Sequence, residues 1–406
     1  VAEGHIFAPS RLCALVLYLR AFKIIEDMQE EKGPYIFSDE EARAAIQELF
    51  SFQSLIQGMK AFLPEPLFQL IMTEKDRVNS VRDFQERIAR PLLKAIEKDS
   101  ITQLSASGFE VLNSSEQYLF ISNHRDIILD SAFLNTVLFD HGFRTSQIAI
   151  GDNLMRHRIS ELIFHINKSF VVKRSGTPME LYRYSMLLSN YIWRQITEKT
   201  DAVWIAQREG RAKDGDDRTQ VGLLKMLSLN NKEDLKSYFR SLRIAPVAIS
   251  YEFDPCDLLK AQEFLNKRAN PEYKKTFEED VQHMLLGLKG NKGDVHFHFS
   301  EPFDKELEVF DTLPNAKKQL EALAEMIDAR IHKHYKLRPI NYIAQDMLSG
   351  TDTYSNYYSA EDKEKIGAYF EQRFRLLTQD DEGLGREFLL KMYANPLINQ
   401  LAVSAW

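Results

Sequence analysis

The stretch Ser122-Asn123-His124-Arg125-Asp126-Ile127-Ile128-Leu129-Asp130 puts one imidazole within six residues of two carboxylates. A histidine with one ring nitrogen bonded to a carboxylate has a fixed tautomer and a more basic second nitrogen. Such a pair can take a proton from an alcohol near neutral pH, since a free imidazole titrates at about 6.5. On this cluster alone, a histidine beside a helix cap with solvated acids is an equally open reading. Two further clusters carry cations. Lys173-Arg174 closes an apolar run, and from Arg156 to Arg194 there are seven Lys and Arg against Glu161 and Glu180. A local positive field suits a phosphate-bearing ligand, and a solvated basic helix face has the same composition. Glu209-Gly210-Arg211 follows another apolar run, with Lys213 and Arg218 beyond it. Glycine lets a ligand approach the backbone closely, and arginine offers a bidentate grip on phosphate.

These residues need a scaffold that gathers them. Six short apolar runs read as buried strands: Tyr118–Ser122, Ser146–Asp152, Ser169–Arg174, Ala202–Gln207, Ile244–Phe253 and Asp294–Phe303. Between them Ile127–Gly142, Pro178 to about Glu198 and Val221–Leu229 have helical spacing, and Ala316–Tyr335 closes the series. The alternation predicts an α/β fold, a mostly parallel sheet flanked by helices, over 101–340. In open α/β sheets ligands collect at the carboxyl ends of the strands, where all three clusters fall. Residues 1–100 read as a helical N-terminal region, with a Ser38 cap before Asp39-Glu40-Glu41, and 341–406 as a helical C-terminal extension.

The order and spacing of these blocks resemble the glycerolipid acyltransferases, which acylate glycerol-3-phosphate, 1-acylglycerol-3-phosphate and related acceptors. The resemblance rests on Asn123-His124 with an Asp, on Phe170-Val171-Val172-Lys173-Arg174, on Glu209-Gly210-Arg211, and on Ala245-Pro246-Val247 leading into Ile249-Ser250-Tyr251-Glu252. It spans Tyr118 to Phe253. Two departures mark a divergent branch. The family's Asp stands five residues after the His, where this chain has Leu129; Asp130 is one later and Asp126 three earlier. The family also has one residue between the Gly and the Arg of the third block, and here there is none.

The resemblance implies direct acyl transfer from an acyl-ACP or acyl-CoA thioester, with no cofactor or metal. His124 is then the general base, oriented by Asp126 or Asp130. Asp130 is the favoured partner because a later position on the helix can reach back, and Asp126 suits the helix N-terminus. By the same resemblance Arg174 and Arg211, with Lys173, hold an acceptor phosphate, Glu209 and Gly210 place the acceptor, and Pro246 lies near the acyl chain. A lipid-binding or regulatory relative without turnover, and an acyl-ester hydrolase, are the alternatives.

Composition narrows the field further. The chain of 406 residues has 44% hydrophobic and 27% charged residues, which is ordinary for globular proteins. A net charge of −7 argues against non-specific nucleic-acid binding. Cys13 and Cys256 are too few for a disulfide framework or a Cys-rich zinc site, and favour a cytoplasmic setting. Leu12–Ile25 is 14 residues long and carries Arg20 and Lys23, whereas a spanning helix needs roughly 20 apolar residues. It reads as a buried or amphipathic helix that could rest on an anionic membrane surface, so weak peripheral association at the inner face is expected. The letters His124-Arg125-Asp126 also occur in kinase catalytic loops, but the position that needs Asn is Ser131 and no glycine-rich loop is present. His296 and His298 would share a strand face, and no third metal ligand accompanies them. No G-x-S-x-G elbow occurs, and Trp193 and Trp204 read as core.

Overall fold

The strand β6 (Ile244–Tyr251) is buried at all eight positions, as a near-continuous apolar run covered on both faces must be. In the computed structural model, which describes residues 33–155, 157–232, 234–377 and 382–404, it lies near the middle of a sheet of seven strands. The others are β1 (Gln103–Ser107), β2 (Leu119–Ser122), β3 (Gln147–Gly151), β4 (Ser169–Val172), β5 (Val203–Ala206) and β7 (Asp294–Phe299). Their spatial order is β1-β7-β6-β2-β5-β3-β4. Strands β2 to β6 run parallel, and β7, with β1 parallel to it, runs against them. The Leu12–Ile25 stretch, Cys13 and Arg156 lie outside the described residues.

Alternation along β2 shows how the two faces are covered. Leu119 and Ile121 join the core beneath the helices Pro178–Thr197, Val221–Leu227, Leu235–Ser241 and Ala316–His334. Tyr118 and Phe120 point the other way, into a core shared with the helix Leu129–Asp140. Nine of that helix's twelve residues are buried, so its apolar side chains are spread round most of its circumference. The fold is therefore α/β with a mostly parallel sheet between helices. It has one more strand than the sequence predicts: β1 reads QLSAS, a half-buried edge with no apolar run to betray it.

Helical regions flank the sheet at both ends. Asp39–Leu49 starts with the Ser38–Glu41 capping box read from the sequence and packs on the helix Arg158–Ile166 through Ala45, Leu49, Leu162 and Ile166. Val81–Phe84 runs into a π-helical turn, Gln85–Ala89, and then into Arg90–Ser100. After the sheet come Pro339–Ser349, Ala360–Phe374 and Glu382–Ser404, which share a core with Phe253, Ala261 and Leu265. No helix among the described residues is long and apolar enough to cross a membrane.

The edge pair β1/β7 gathers three histidines. Register sets Ser105 beside His296 and Ser107 beside His298. Ser105 Oγ lies 2.8 Å from His296 Nδ1, and Ser107 Oγ bridges His296 Nε2 and His298 Nδ1 at 2.9 Å each. His298 stacks on His334 with centroids 3.9 Å apart. The His296 ring nitrogens are thus both engaged by serines. Burial, with Lys336 and His298 adding repulsion, pushes His296 down to about 4, and burial with His298 pushes His334 down to about 4. A ring neutral when folded and protonated when unfolded stabilises fully above the unfolded value of about 6.5, and that stability is lost as pH falls toward 4. Asp217 and Asp328, pushed up to about 6 by burial, act with the opposite sign, so the informative quantity is a difference between variants. Wild-type stability should fall more steeply between about pH 7 and pH 5 than that of His296→Gln, by at most about 1.4 kcal/mol per pH unit. Urea denaturation at each pH measures this, and parallel curves would show that His296 does not carry the linkage.

Candidate active site

The turn after β2 is pinned from both sides. Asn123 uses its side-chain amide as a strand would use its backbone: Nδ2 donates to Ile249 O and Oδ1 accepts from Ile249 N, both at 2.8 Å. On the other side Gln207 N donates to Ser122 O at 2.8 Å and Ala212 N to His124 O at 3.0 Å. The His124 ring packs edge-on against Trp204, and Trp204 Nε1 donates to Ser122 Oγ at 2.9 Å. His124 Nδ1 stands 2.8 Å from Asp130 Oδ2. The carboxylate accepts, so Nδ1 carries the proton and Nε2 the lone pair, the tautomer a general base requires.

The two acids divide the work. Asp130 lies in the first turn of the 129–140 helix, fully buried, and its Oδ2 also accepts from the backbone N–H groups of Arg125 (2.5 Å) and Asp126 (3.0 Å). Asp126 faces the helix instead: its Oδ1 accepts from Ile128 N at 2.9 Å and Leu129 N at 2.8 Å. Its Oδ2 presses on Gly287 of the helix Phe277–Lys289, where a Cβ would overlap it. Burial, and then the neighbouring Asp130, raise the Asp126 carboxyl above its ordinary value.

The cations separate. Arg174, just past β4, lies against the end of β3: its N–H donates to Asp152 Oδ2 (3.2 Å), Nη1 to Asn153 Oδ1 (3.3 Å), and Nε stands 3.6 Å from Glu209 Oε1. The approach is possible because residue 151 is glycine; a Cβ there would fall 2.6 Å from Arg174 Cζ. Lys173 turns to the Tyr184 ring, 4.8 Å from its centroid. Arg211 is buried behind the turn, donating from Nη2 to His283 Nδ1 at 3.1 Å. Burial, and then Arg211 itself, push His283 down to about 3, which keeps it a neutral acceptor. Part of the basic stretch is neutralised: Arg158 pairs with Glu48 and Lys168 with Asp201, both distant in sequence, and Arg194 with Glu198 four residues on.

A cavity of about 1000 Å³ opens beside His124. Its lining takes in Gly151, Arg174 and Ala206 at the carboxyl ends of β3, β4 and β5, and Thr145, Lys168 and Asp201 at the amino ends. It therefore follows the whole length of β3, roughly 17 Å at about 3.3 Å per residue. One face of the 129–140 helix, Ala132, Asn135, Thr136 and Phe139, covers it, and the π-helical turn contributes Gln85 and Ala89. At the far end Thr145 Oγ1 donates to Gln85 Oε1 at 2.9 Å.

Of the residues singled out by sequence, His124, Arg174 and Gly210 line this cavity and Asp130 stands directly behind His124. Lys173, Glu209, Arg211 and Asp126 lie outside the lining. So does Pro246, which is buried in β6 opposite Ile121 and accepts Ser300 N on its carbonyl at 2.9 Å; the sequence resemblance had put it beside an acyl chain. Arg208 lines the cavity and escaped the sequence reading. Its position two residues past β5, at the carboxyl end of a central strand, was the available signal.

No family model and no curated protein sequence matches the chain. Among solved structures it is similar to the 1-acyl-sn-glycerophosphate (LPA) acyltransferase PlsC from Thermotoga maritima, at 12% identity over 71% of this chain and 94% of that one, with a TM-score of 0.29. It is also similar to chloroplast FtsY from Physcomitrella patens, at 15% identity over 68% and 96% of the two chains, with a TM-score of 0.21. At such TM-scores neither likeness carries weight, and the fold rests on the strand order given above.

The division between the acids has a stability consequence. Asp126→Asn keeps an acceptor for Ile128 and Leu129 and removes a buried charge beside Asp130, so its unfolding free energy should stay within about 1 kcal/mol of wild type. Asp126→Ala leaves both N–H groups unmet and should cost about 1–2 kcal/mol. Chemical denaturation of the two variants measures the difference.

Proposed function

We propose that this chain is an O-acyltransferase that moves a fatty acyl group from a thioester of CoA or acyl carrier protein to a hydroxyl of a phosphate-bearing glycerolipid precursor, glycerol-3-phosphate or its 1-acyl derivative. The observation that carries the reading is the His124–Asp130 pair at the side of a long, mostly apolar cavity whose lining also includes Arg174 and Arg208. An alkyl chain fits the apolar length, and a phosphate suits the two guanidinium groups. His124 Nε2 takes the proton of the acceptor hydroxyl as its oxygen attacks the thioester carbonyl. The tetrahedral intermediate then expels the thiolate, which receives that proton from the imidazolium. Asp130 holds the ring and stabilises its charged form. A thioester is already activated, so the step runs without a covalent enzyme intermediate.

The lipid partner of this reading is an anionic membrane surface. Met179, Tyr182, Met186 and Leu187 stand exposed along the 178–197 helix with Arg183 among them, a combination that suits weak docking on anionic headgroups. Flotation should show salt-sensitive binding to anionic vesicles and none to neutral ones.

Purified protein given an acyl thioester and a panel of phosphate-bearing and phosphate-free acceptors should form an acyl ester on a phosphate-bearing acceptor, identified by mass; free fatty acid as the sole product would make it a hydrolase. His124→Ala should lower turnover by about 10²–10⁴-fold with the fold intact. Asp130→Asn should be more damaging than Asp126→Asn. Arg174→Ala combined with Arg208→Ala should raise the acceptor KM more than the donor KM.

A further inference from the structure

Arg125 follows His124 directly, and its backbone is held at both its N–H and its carbonyl. Its backbone N–H donates to the same Asp130 oxygen that holds the imidazole, at 2.5 Å, and its carbonyl accepts from Lys260 Nζ at 3.1 Å. Its guanidinium is buried 3.9 Å from Asp217 Oδ2 and 3.9 Å from Asp254 Oδ2. Lys260, itself fully buried, closes the group by donating to Asp254 Oδ2 at 2.5 Å. The four charges come from four places in the chain: the β2 turn, the loop before the 221–227 helix, the turn after β6, and the helix Asp257–Ala269. The C-terminal helix 382–404 joins in, since Tyr393 Oη accepts from Asp254 N at 3.0 Å, and so does the 316–334 helix, whose His332 Nε2 lies 2.8 Å from the Asp217 carbonyl.

Such a quartet is a poor way to gain stability. Desolvating four charges costs several kcal/mol per ion, and well-packed apolar residues of the same volume often do as well or better. The 3.9 Å separations are longer than hydrogen bonds, so Asp217 and Asp254 act on Arg125 as charges rather than as partners of a bidentate fork. What the arrangement does supply is location. The N–H and carbonyl of one residue are fixed by hydrogen bonds, its guanidinium lies buried in the field of two carboxylates, and that residue is covalently joined to His124.

Resting on the reading of His124 as a general base, we propose that Arg125 is a positioning residue: the buried quartet of Arg125, Lys260, Asp217 and Asp254 holds the peptide that sets the His124–Asp130 contact. Small misplacements of a base cost turnover rather than binding, on the order of 100-fold for about 1 Å. The quartet thereby makes the 316–334 and 382–404 helices part of what keeps the base in register.

A charge-balanced variant separates positioning from stability. Arg125→Met alone leaves Asp217 buried without its cation and should lose both Tm and turnover. Adding Asp217→Asn removes the orphaned charge, so the double variant should regain most of the Tm while kcat stays at least about tenfold down and both KM values remain near wild type. Selective ¹⁵N-histidine labelling gives a second readout that is independent of the reaction. The His124 Nδ1–H proton, assigned by its loss in His124→Ala, should be present in wild type and weakened or lost in the double variant. Should the Arg125 variants fail to fold, Asp217→Asn alone, nearly isosteric, should fold and lower kcat several-fold at unchanged KM. Wild-type kcat in the refolded double variant or in Asp217→Asn, or an unchanged Nδ1–H resonance, overturns the proposal. Absence of acyl transfer by wild type would instead remove the functional reading, leaving the resonance to decide the positioning role.

Discussion

One carboxylate oxygen, Asp130 Oδ2, receives three donors: His124 Nδ1 and the backbone N–H groups of Arg125 and Asp126. The local structure follows from that convergence. The turn must curl so that three successive residues point at one atom, and the helix must start early enough to bring Asp130 under the ring. Asp126 makes that start possible by taking the first free N–H groups of the helix. An acceptor at each position therefore serves a different end, one to hold a ring and one to hold a helix.

The electrostatics around this point are arranged in depth. Nearest the cavity stand His124, Arg174 and Arg208, while behind them lie Asp130 and Asp126, and further back Arg211, Arg125 and Lys260. Burial and then Asp130 raise Asp126, and the N–H groups of Leu129 and Ile128 and, least, Arg211 oppose that shift without cancelling it. The neutral His283 lets Arg211 stay there with an acceptor that adds no further charge.

Much of the fold was legible because its strands are buried on both faces and read as unbroken apolar runs; Ala202–Gln207 and Ile244–Phe253 each bracket an observed strand within two residues at either end. β1 was not legible, because an edge strand paired on one side needs no apolar pattern. At the site, contacts local in sequence were legible: His124 meets Asp130 of its own helix start, and Asp126 accepts from the first N–H groups of that helix. Contacts with distant partners were not. Arg158, Lys168 and Arg194 read as a positive field because Glu48, Asp201 and Glu198 were either far away or outside the window considered. Arg211 read as a ligand contact because the helix bearing His283, which claims it, begins more than sixty residues later. Pro246 was set beside an acyl chain by the family resemblance alone; in the structure it is a buried residue of β6 outside the cavity lining.

The turn that carries His124 and the loop that carries Arg211 meet in space. These segments touch: Gln207 N bonds Ser122 O, and Ala212 N bonds His124 O at 3.0 Å. One chain advances two residues between these bonds while the other advances five, so the 207–212 segment is a loop strung across the β2 turn. The His124 carbonyl is the point at which the loop carrying Arg211 is tied to the turn carrying the imidazole, so a change in the length of either segment must be met by the other.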